Sequence, residues 1–146
     1  VLQGGFRRIE ELLPPQCADL VVSNPPYRRL RSGRVNPEGQ RALARHELIG
    51  SVADVFAAGR YLLGKNGRLA VIYPASRLAH LVIEASRRGF AAKRLTVVHS
   101  RPGEVGRLAH LECRKGGGEE LRVEPPVFIY GEDGGYSEAV RKLYLP

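Results

Sequence analysis

Hydrophobic positions along the chain fall into short blocks with two different periods. Ala18–Ser23 (ADLVVS) is brief, apolar and rich in Val, the pattern of a strand buried on both faces of a parallel sheet. Residues 24–37 read as a loop broken by Gly33 and Asn36-Pro37. In residues 40–63, Leu48, Val52, Val55, Phe56, Gly59 and Leu63 recur at helical spacing, and Gly64-Lys65-Asn66-Gly67 supplies a stop with a Lys near the last carbonyls. Residues 68–73 (RLAVIY) repeat the buried-strand pattern. A second helix is predicted over 74–88, opened by Pro74 and stopped by Gly89. Residues 92–100 give a third strand and 101–107 a loop. Residues 108–115 (LAHLECRK) alternate as a fourth strand, followed by the turn Gly116-Gly117-Gly118. Residues 127–130 suit a short fifth strand, and 137–144 a final helix capped by Ser137.

Strand, helix, strand, helix, strand, strand is the order of an α/β protein with helices packed on a mostly parallel sheet. The last pair is joined by a short loop and predicts a hairpin, hence one antiparallel strand.

Composition adds limits. The chain has 146 residues, of which 43% are hydrophobic, enough for one domain with a core and too many for disorder. No apolar run approaches the ~18 residues of a membrane span. The first residues show no basic stretch leading into a long apolar one, so no secretory leader is expected among them. Met is absent even at position 1, and the chain is expected to be part of something longer. Cys17 and Cys113 are too few for a disulfide framework, which suits a reducing, cytoplasmic setting. His110 and Cys113 have a chelating spacing, but no second pair completes a site and a strand would point them to opposite faces, so no metal is expected.

The net charge of +8 favours acidic partners, nucleic acid foremost. Only 4 of the 23 cations are Lys, so part of this is compositional bias; local clustering says more. Residues 28–45 hold six arginines (Arg28, Arg29, Arg31, Arg34, Arg41, Arg45) against the single acid Glu38. Arg28, Arg29, Arg31, Arg34 and Arg45 are therefore candidate phosphate contacts, and Arg101 and Arg107, flanking a second loop, extend the patch. His46 and Glu47 suit a polar pair at a helix start better than a catalytic one.

The chemistry-bearing feature is Asn24-Pro25-Pro26-Tyr27, directly after the first strand. Ligands of open α/β sheets bind beyond the carboxyl ends of strands. The Asn24 side-chain carbonyl is an acceptor. Pro25 has a fixed φ and no N–H, so its carbonyl is presented without competition from its own donor. Two adjacent acceptors take both hydrogens of a planar amino group, leave its lone pair facing a methyl donor and stabilise the charge that develops there. Tyr27 offers a flat face for a base. Asn and Pro are also ordinary turn formers, and an unremarkable turn is the duller reading.

These residues carry a family resemblance. DLVVSNPPY resembles the signature of S-adenosylmethionine-dependent amino-group methyltransferases, Asp/Asn/Ser-Pro-Pro-Tyr/Phe/Trp. GRVNPEGQRALARHEL from Gly33, GKNGRLAVIYP from Gly64, VVHSRPGEVGRLAHLECRKGG from Val97 and PPVFIYGEDGGYSEAVRKLY from Pro125 together resemble the bacterial valine-tRNA adenine-N6 methyltransferases, a likeness running from Asp19 to Tyr144. That family methylates the adenine on the 3′ side of the anticodon. The resemblance implies a Rossmann-like methyltransferase sheet, of which the chain would be the carboxyl-terminal half, from the fourth strand onward, with a terminal antiparallel hairpin. It implies S-adenosylmethionine as cofactor and tRNA as partner. By position, Asn24 and Pro25 would hold the adenine amino group, Pro26 would keep the turn rigid, and Tyr27 would stack on a base drawn out of its own stack.

The chain departs from the family in two places. No Gly-rich loop follows an early strand. Where VLQGGF aligns, the family often has Gly-Asp, its Asp against the cofactor adenine; here the pair is Gly4-Gly5, with Phe6 placed to cover the ring. Gly5, Phe6 and Asn24 are thus the expected cofactor contacts. Residues 1–146 are expected to be one domain, and alone to bind cofactor weakly and transfer no methyl group. The strand Ala18–Ser23 would lack a neighbour, and its bare edge invites self-association. Two other functions fit: a glutamine methyltransferase acting on protein, which needs no basic loop, and a non-catalytic remnant that binds RNA or a partner chain.

Overall fold

The computed structural model describes residues 4–25 and 51–144. A 3₁₀ helix, Phe6–Glu11, leads into β1 (Ala18–Ser23). Then come α1 (Val52–Leu62), β2 (Leu63–Pro74), α2 (Leu78–Arg87), β3 (Phe90–His99) and β4 (Gly106–Lys115). Two short strands, β5 (Arg122–Val123) and β6 (Val127–Phe128), precede α3 (Glu138–Tyr144). The mixed α/β class holds, and so does the hairpin, since β3 and β4 pair antiparallel.

The sheet runs β1-β2-β4-β3, with β5 and β6 both on the outer side of β3. β1 lies parallel to β2, and β4 is antiparallel to both β2 and β3. β4 thus folds back between its two predecessors. β5 and β6 behave as one outer strand interrupted at Pro125-Pro126, which have no N–H to donate to β3.

Alternation along the strands sends one row of side chains to a common face. Val21 and Ser23 of β1, Leu69, Val71 and Tyr73 of β2, and Ala109, Leu111 and Cys113 of β4 share it by register. Phe56 of α1, Leu81 and Ala85 of α2 and Phe90 of β3 close over it, and the Phe56 and Phe90 rings meet at 5.6 Å. Each large side chain buried here contributes roughly 1.5–3 kcal/mol.

Several boundaries differ from the sequence pattern. The helix expected over 40–63 opens in the structure at Val52, and residues 40–50 lie outside the described region. Ser51 is in extended conformation and caps the helix. Its Oγ accepts from the Asp54 N–H at 3.3 Å, while Asp54 Oδ2 accepts from the Ser51 N–H at 2.6 Å. That pairing sets the start more strongly than periodicity does. The helix does not stop at a left-handed Gly64 either. Leu63 turns to extended backbone (φ −87°, ψ 136°) and begins β2 at once, so β2 is longer than expected. The cation at that end is Lys115 from β4, whose Nζ donates to the Arg60 and Leu63 carbonyls, rather than Lys65. Gly89 does end the second helix, at φ 76°. β5 has no counterpart in the sequence pattern. β1, expected to be buried on both faces, is outermost among the described strands, with Leu20 46% and Val22 71% exposed.

Candidate active site

β1, β2, β3 and β6 run in one direction, so their carboxyl ends, and the amino end of β4, share one rim of the sheet. Asn24 leaves β1 at that rim and is exposed, while Ser23 and Pro25 on either side are buried. The chain is thus buried on both sides of an exposed Asn24. Continuing the Ser23–Val71 register by two residues sets Pro25 level with Tyr73. Beside Tyr73 a cavity of about 250 Å³ is lined by Ser51, Arg77, His80 and Glu84, among others. The Arg77 guanidinium lies 4.9 Å from the centre of the Tyr73 ring.

The opening 3₁₀ helix reaches the same rim. Arg7 pairs with Asp54 at 3.3 Å, which holds its first residues beside the first turn of α1. Burial pushes the Asp54 carboxyl up. The Ser51 N–H and hydroxyl and the Arg7 guanidinium outweigh it and hold the group below the usual carboxylate range. Phe6 is 40% exposed there, and Gly5 is extended ahead of it (φ −95°, ψ 145°). Phe6 lines a small cavity between the 3₁₀ helix and α1 with Arg7, Asp54, Ala57 and Ala58. Gly4 is packed against Leu12, whose Cδ1 would meet an added Cβ at 2.0 Å.

Arg101 also sits on this rim, after β3, with its guanidinium 5.5 Å from the centre of the Tyr130 ring. Arg107 pairs with Glu104 at 3.9 Å, and the Glu104 carbonyl lies 2.7 Å from His99 Nδ1. Pro26, Tyr27, Arg28, Arg29, Arg31, Arg34, Arg41, Arg45, His46 and Glu47 lie outside the described residues. Asn24, Pro25, Gly5, Phe6 and Arg101 are the expected site residues within the described region, and Arg101 lies along the same rim but three strands from Asn24, after β3.

The chelating pair is not one. His110 stands opposite Ile72 and Cys113 opposite Leu69, on opposite sheet faces, and no group of three or more potential ligands occurs among the described residues. Burial, with Glu112 adding a little, pushes the Cys113 thiol up to about 12, so it stays protonated and inert at neutral pH. Among the described residues no helix is long and apolar enough to cross a membrane. Sequence reasoning missed Tyr130, Tyr136 and Tyr144, spaced too irregularly along the chain to register as a set.

Comparison with known proteins places this geometry. No protein-family model matches the chain. A tRNA1(Val) (adenine(37)-N6)-methyltransferase of Porphyromonas gingivalis is 37% identical over 94 residues, covering 64% of this chain and 36% of the relative. The protein of that name from Aeromonas hydrophila is 31% identical over 128 residues, covering 88% of this chain and 52% of the relative. The chain is related in sequence to the bacterial tRNA1(Val) (adenine(37)-N6)-methyltransferases. It spans about half the length, or less, of these curated relatives. In fold it matches a predicted O-methyltransferase from Agrobacterium tumefaciens, with a TM-score of 0.71 at 20% identity over 93% of this chain and 55% of that one. A putative DNA modification methylase from Thermus thermophilus, complexed with S-adenosyl-L-methionine, gives 0.50 at 22% identity over 84% of this chain and 56% of that one. The architecture is thus part of a Rossmann-like methyltransferase fold.

Proposed function

We propose that this chain is the substrate-side, carboxyl-terminal part of an S-adenosylmethionine-dependent N-methyltransferase that methylates N6 of an adenine in tRNA, in the cytoplasm. The observation that carries the reading is Asn24, exposed at the carboxyl end of β1 between buried Ser23 and Pro25, in a sequence related to adenine-N6 methyltransferases. Phe6, with Gly5 and Asn24, would line the cofactor. When bound, S-adenosylmethionine supplies a methyl group activated on a sulfonium.

The protein's own part is to hold the adenine amino group. Its nitrogen lone pair is delocalised into the ring and nucleophilically weak. The Asn24 side-chain carbonyl and the Pro25 backbone carbonyl accept its two N–H bonds and stabilise positive charge as it develops on nitrogen. Burial of Pro25 keeps the two acceptors in register. Tyr27 stacks on the extruded base and Pro26 stiffens the turn. The extra proton leaves N6 for water, and no general base is needed. Arg28, Arg29, Arg31, Arg34, Arg45 and Arg101 take RNA phosphates.

The test is methyl transfer from S-adenosylmethionine to unmodified tRNA by the protein to which this chain belongs, with and without Asn24→Ala. The loss of one preorganised partner at the reacting centre should cost about 10²–10³ in kcat. Asn24 is exposed, so circular dichroism should be unchanged. Methylation of a protein glutamine with no transfer to tRNA would establish the glutamine-methyltransferase alternative. RNA binding with no transfer to any substrate would establish the non-catalytic one.

A further inference from the structure

A ladder of aromatic rings stands on the rim far from Asn24. Tyr130 and Tyr136 face each other across the turn Gly131–Gly135, their rings 5.8 Å apart and 9° from parallel. Tyr136 and Tyr144 continue it at 6.3 Å and 22°. Arg101 lies over the Tyr130 ring at 5.5 Å. Exposure rises along the series, from 36% at Tyr130 to 52% at Tyr136 and 78% at Tyr144.

What anchors α3 is Val140, 8% exposed, together with the cap in which Ser137 Oγ accepts from the Val140 N–H at 3.2 Å. The ring of Tyr144 is left with an open face at the end of the stack. Its neighbours Arg141 and Lys142 are cationic, the latter paired with Glu138 at 2.7 Å. The acids Glu132 and Asp133 sit in the turn at the inner end, and Asp133 Oδ1 is engaged by the Gly135 N–H at 3.0 Å. The outer end therefore joins an exposed aromatic ring to the cation Arg141.

We propose that Arg101, Tyr130, Tyr136 and Tyr144 form a stack whose open end, the outer face of Tyr144, takes one unpaired RNA base, with Arg141 on the neighbouring phosphate and Tyr136 and Tyr130 backing the ring. An open aromatic face accepts any base, and an adjacent cation follows the backbone. The inference rests on the RNA-substrate reading and deepens it. Four strand steps of ~4.8 Å separate β1 from β6, so the ladder sits about 20 Å along the rim from Asn24, several nucleotides from the reacting base. It would hold the flanking loop of the RNA rather than the target.

The experiment is fluorescence-anisotropy titration of a labelled single-stranded oligoribonucleotide with the full chain and its variants. Tyr144→Ala and Tyr136→Ala should each weaken binding about tenfold, and Tyr144→Phe should restore it. Tyrosine emission should be quenched on binding by the wild type and less so by Tyr144→Ala. Far-ultraviolet circular dichroism checks that α3 survives; Tyr144, at its exposed end, is the variant safest on that count. Unchanged affinity in both alanine variants would overturn the proposal while leaving the methyl-transfer reading intact. Equal weakening by Tyr144→Phe and Tyr144→Ala would assign the hydroxyl, not the stack, and also overturn it. Failure of methyl transfer to tRNA with the ladder-dependent RNA binding preserved would instead sink the functional reading alone.

Discussion

Val22 stands directly opposite Ala70 in the parallel register of β1 and β2, yet Val22 is 71% exposed and Ala70 only 8%. The difference is position in the sheet. Ala70 has β4 on its other side, whereas β1 is the last strand among the described residues. Leu20, on the same face as Val22, is 46% exposed.

An apolar strand with an open edge pairs with whatever presents a complementary edge. For residues 1–146 alone in solution, we propose a second copy of this chain as that partner. Light scattering behind a sizing column should show a concentration-dependent dimer, and Val22→Lys should return it to monomer. Stability should change by no more than about 0.5 kcal/mol, because the side chain is exposed. A wild type that stays monomeric at high concentration would rule the edge out as an interface.

Gly59 has a role that its helix propensity conceals. It lies within α1, and a Cβ there would meet Leu69 Cδ1 at 2.2 Å. Gly→Ala in a helix normally stabilises by up to about 1 kcal/mol. Leu69 is fully buried and cannot yield cheaply, and overpacking a core costs about 1–3 kcal/mol. Gly59→Ala should therefore destabilise the chain by about 1 kcal/mol in urea unfolding. A stabilised variant would show that Leu69 has a second rotamer available.

The charge of the basic segment sets a measurable salt dependence. If Arg28, Arg29 and Arg31 each meet a phosphate, changing all three to Gln should reduce the slope of log affinity against log salt by about 2 for single-stranded RNA. Methyl transfer to tRNA should fall with it. An unchanged slope would place these side chains away from the backbone, and unchanged transfer would favour a protein substrate.

Much of this was legible in the sequence, for reasons that individual residues make plain. Asn24-Pro25 declared the strand's end because a Val-rich strand ran into it, and the strand's direction then put it at the carboxyl-end rim of the sheet. Gly89 and Ser137 marked helix ends because their roles are local. What stayed hidden depends on contacts between distant segments. Lys115 serves the end of α1 from across the sheet, some 50 residues downstream of the Arg60 and Leu63 carbonyls it binds. The insertion of β4 between β2 and β3 is a choice of side that a hairpin pattern cannot express. Tyr130, Tyr136 and Tyr144 become a ladder only once the Gly131–Gly135 turn and α3 bring them level.

Asp54 joins three devices in one carboxylate: it accepts from the Ser51 N–H and hydroxyl, lies within the first turn of α1, and pairs with Arg7 of the 3₁₀ helix. All three favour its ionised form, and its folded pKa lies below the ordinary value despite burial. The sign follows from that. Its contribution is fully present above the unfolded carboxylate range, near pH 4, and is lost as pH falls through the lower folded value. The melting temperature of the wild type should fall more steeply below pH 4 than that of Asp54→Asn, and the two curves should converge in acid. At neutral pH, Ser51→Ala should cost about 1 kcal/mol through the cap alone, and Arg7→Ala less, since that pair is largely exposed. A gap between wild type and Asp54→Asn that stays constant from pH 7 to pH 3 would mean that the carboxylate's charge does not hold the 3₁₀ helix to α1.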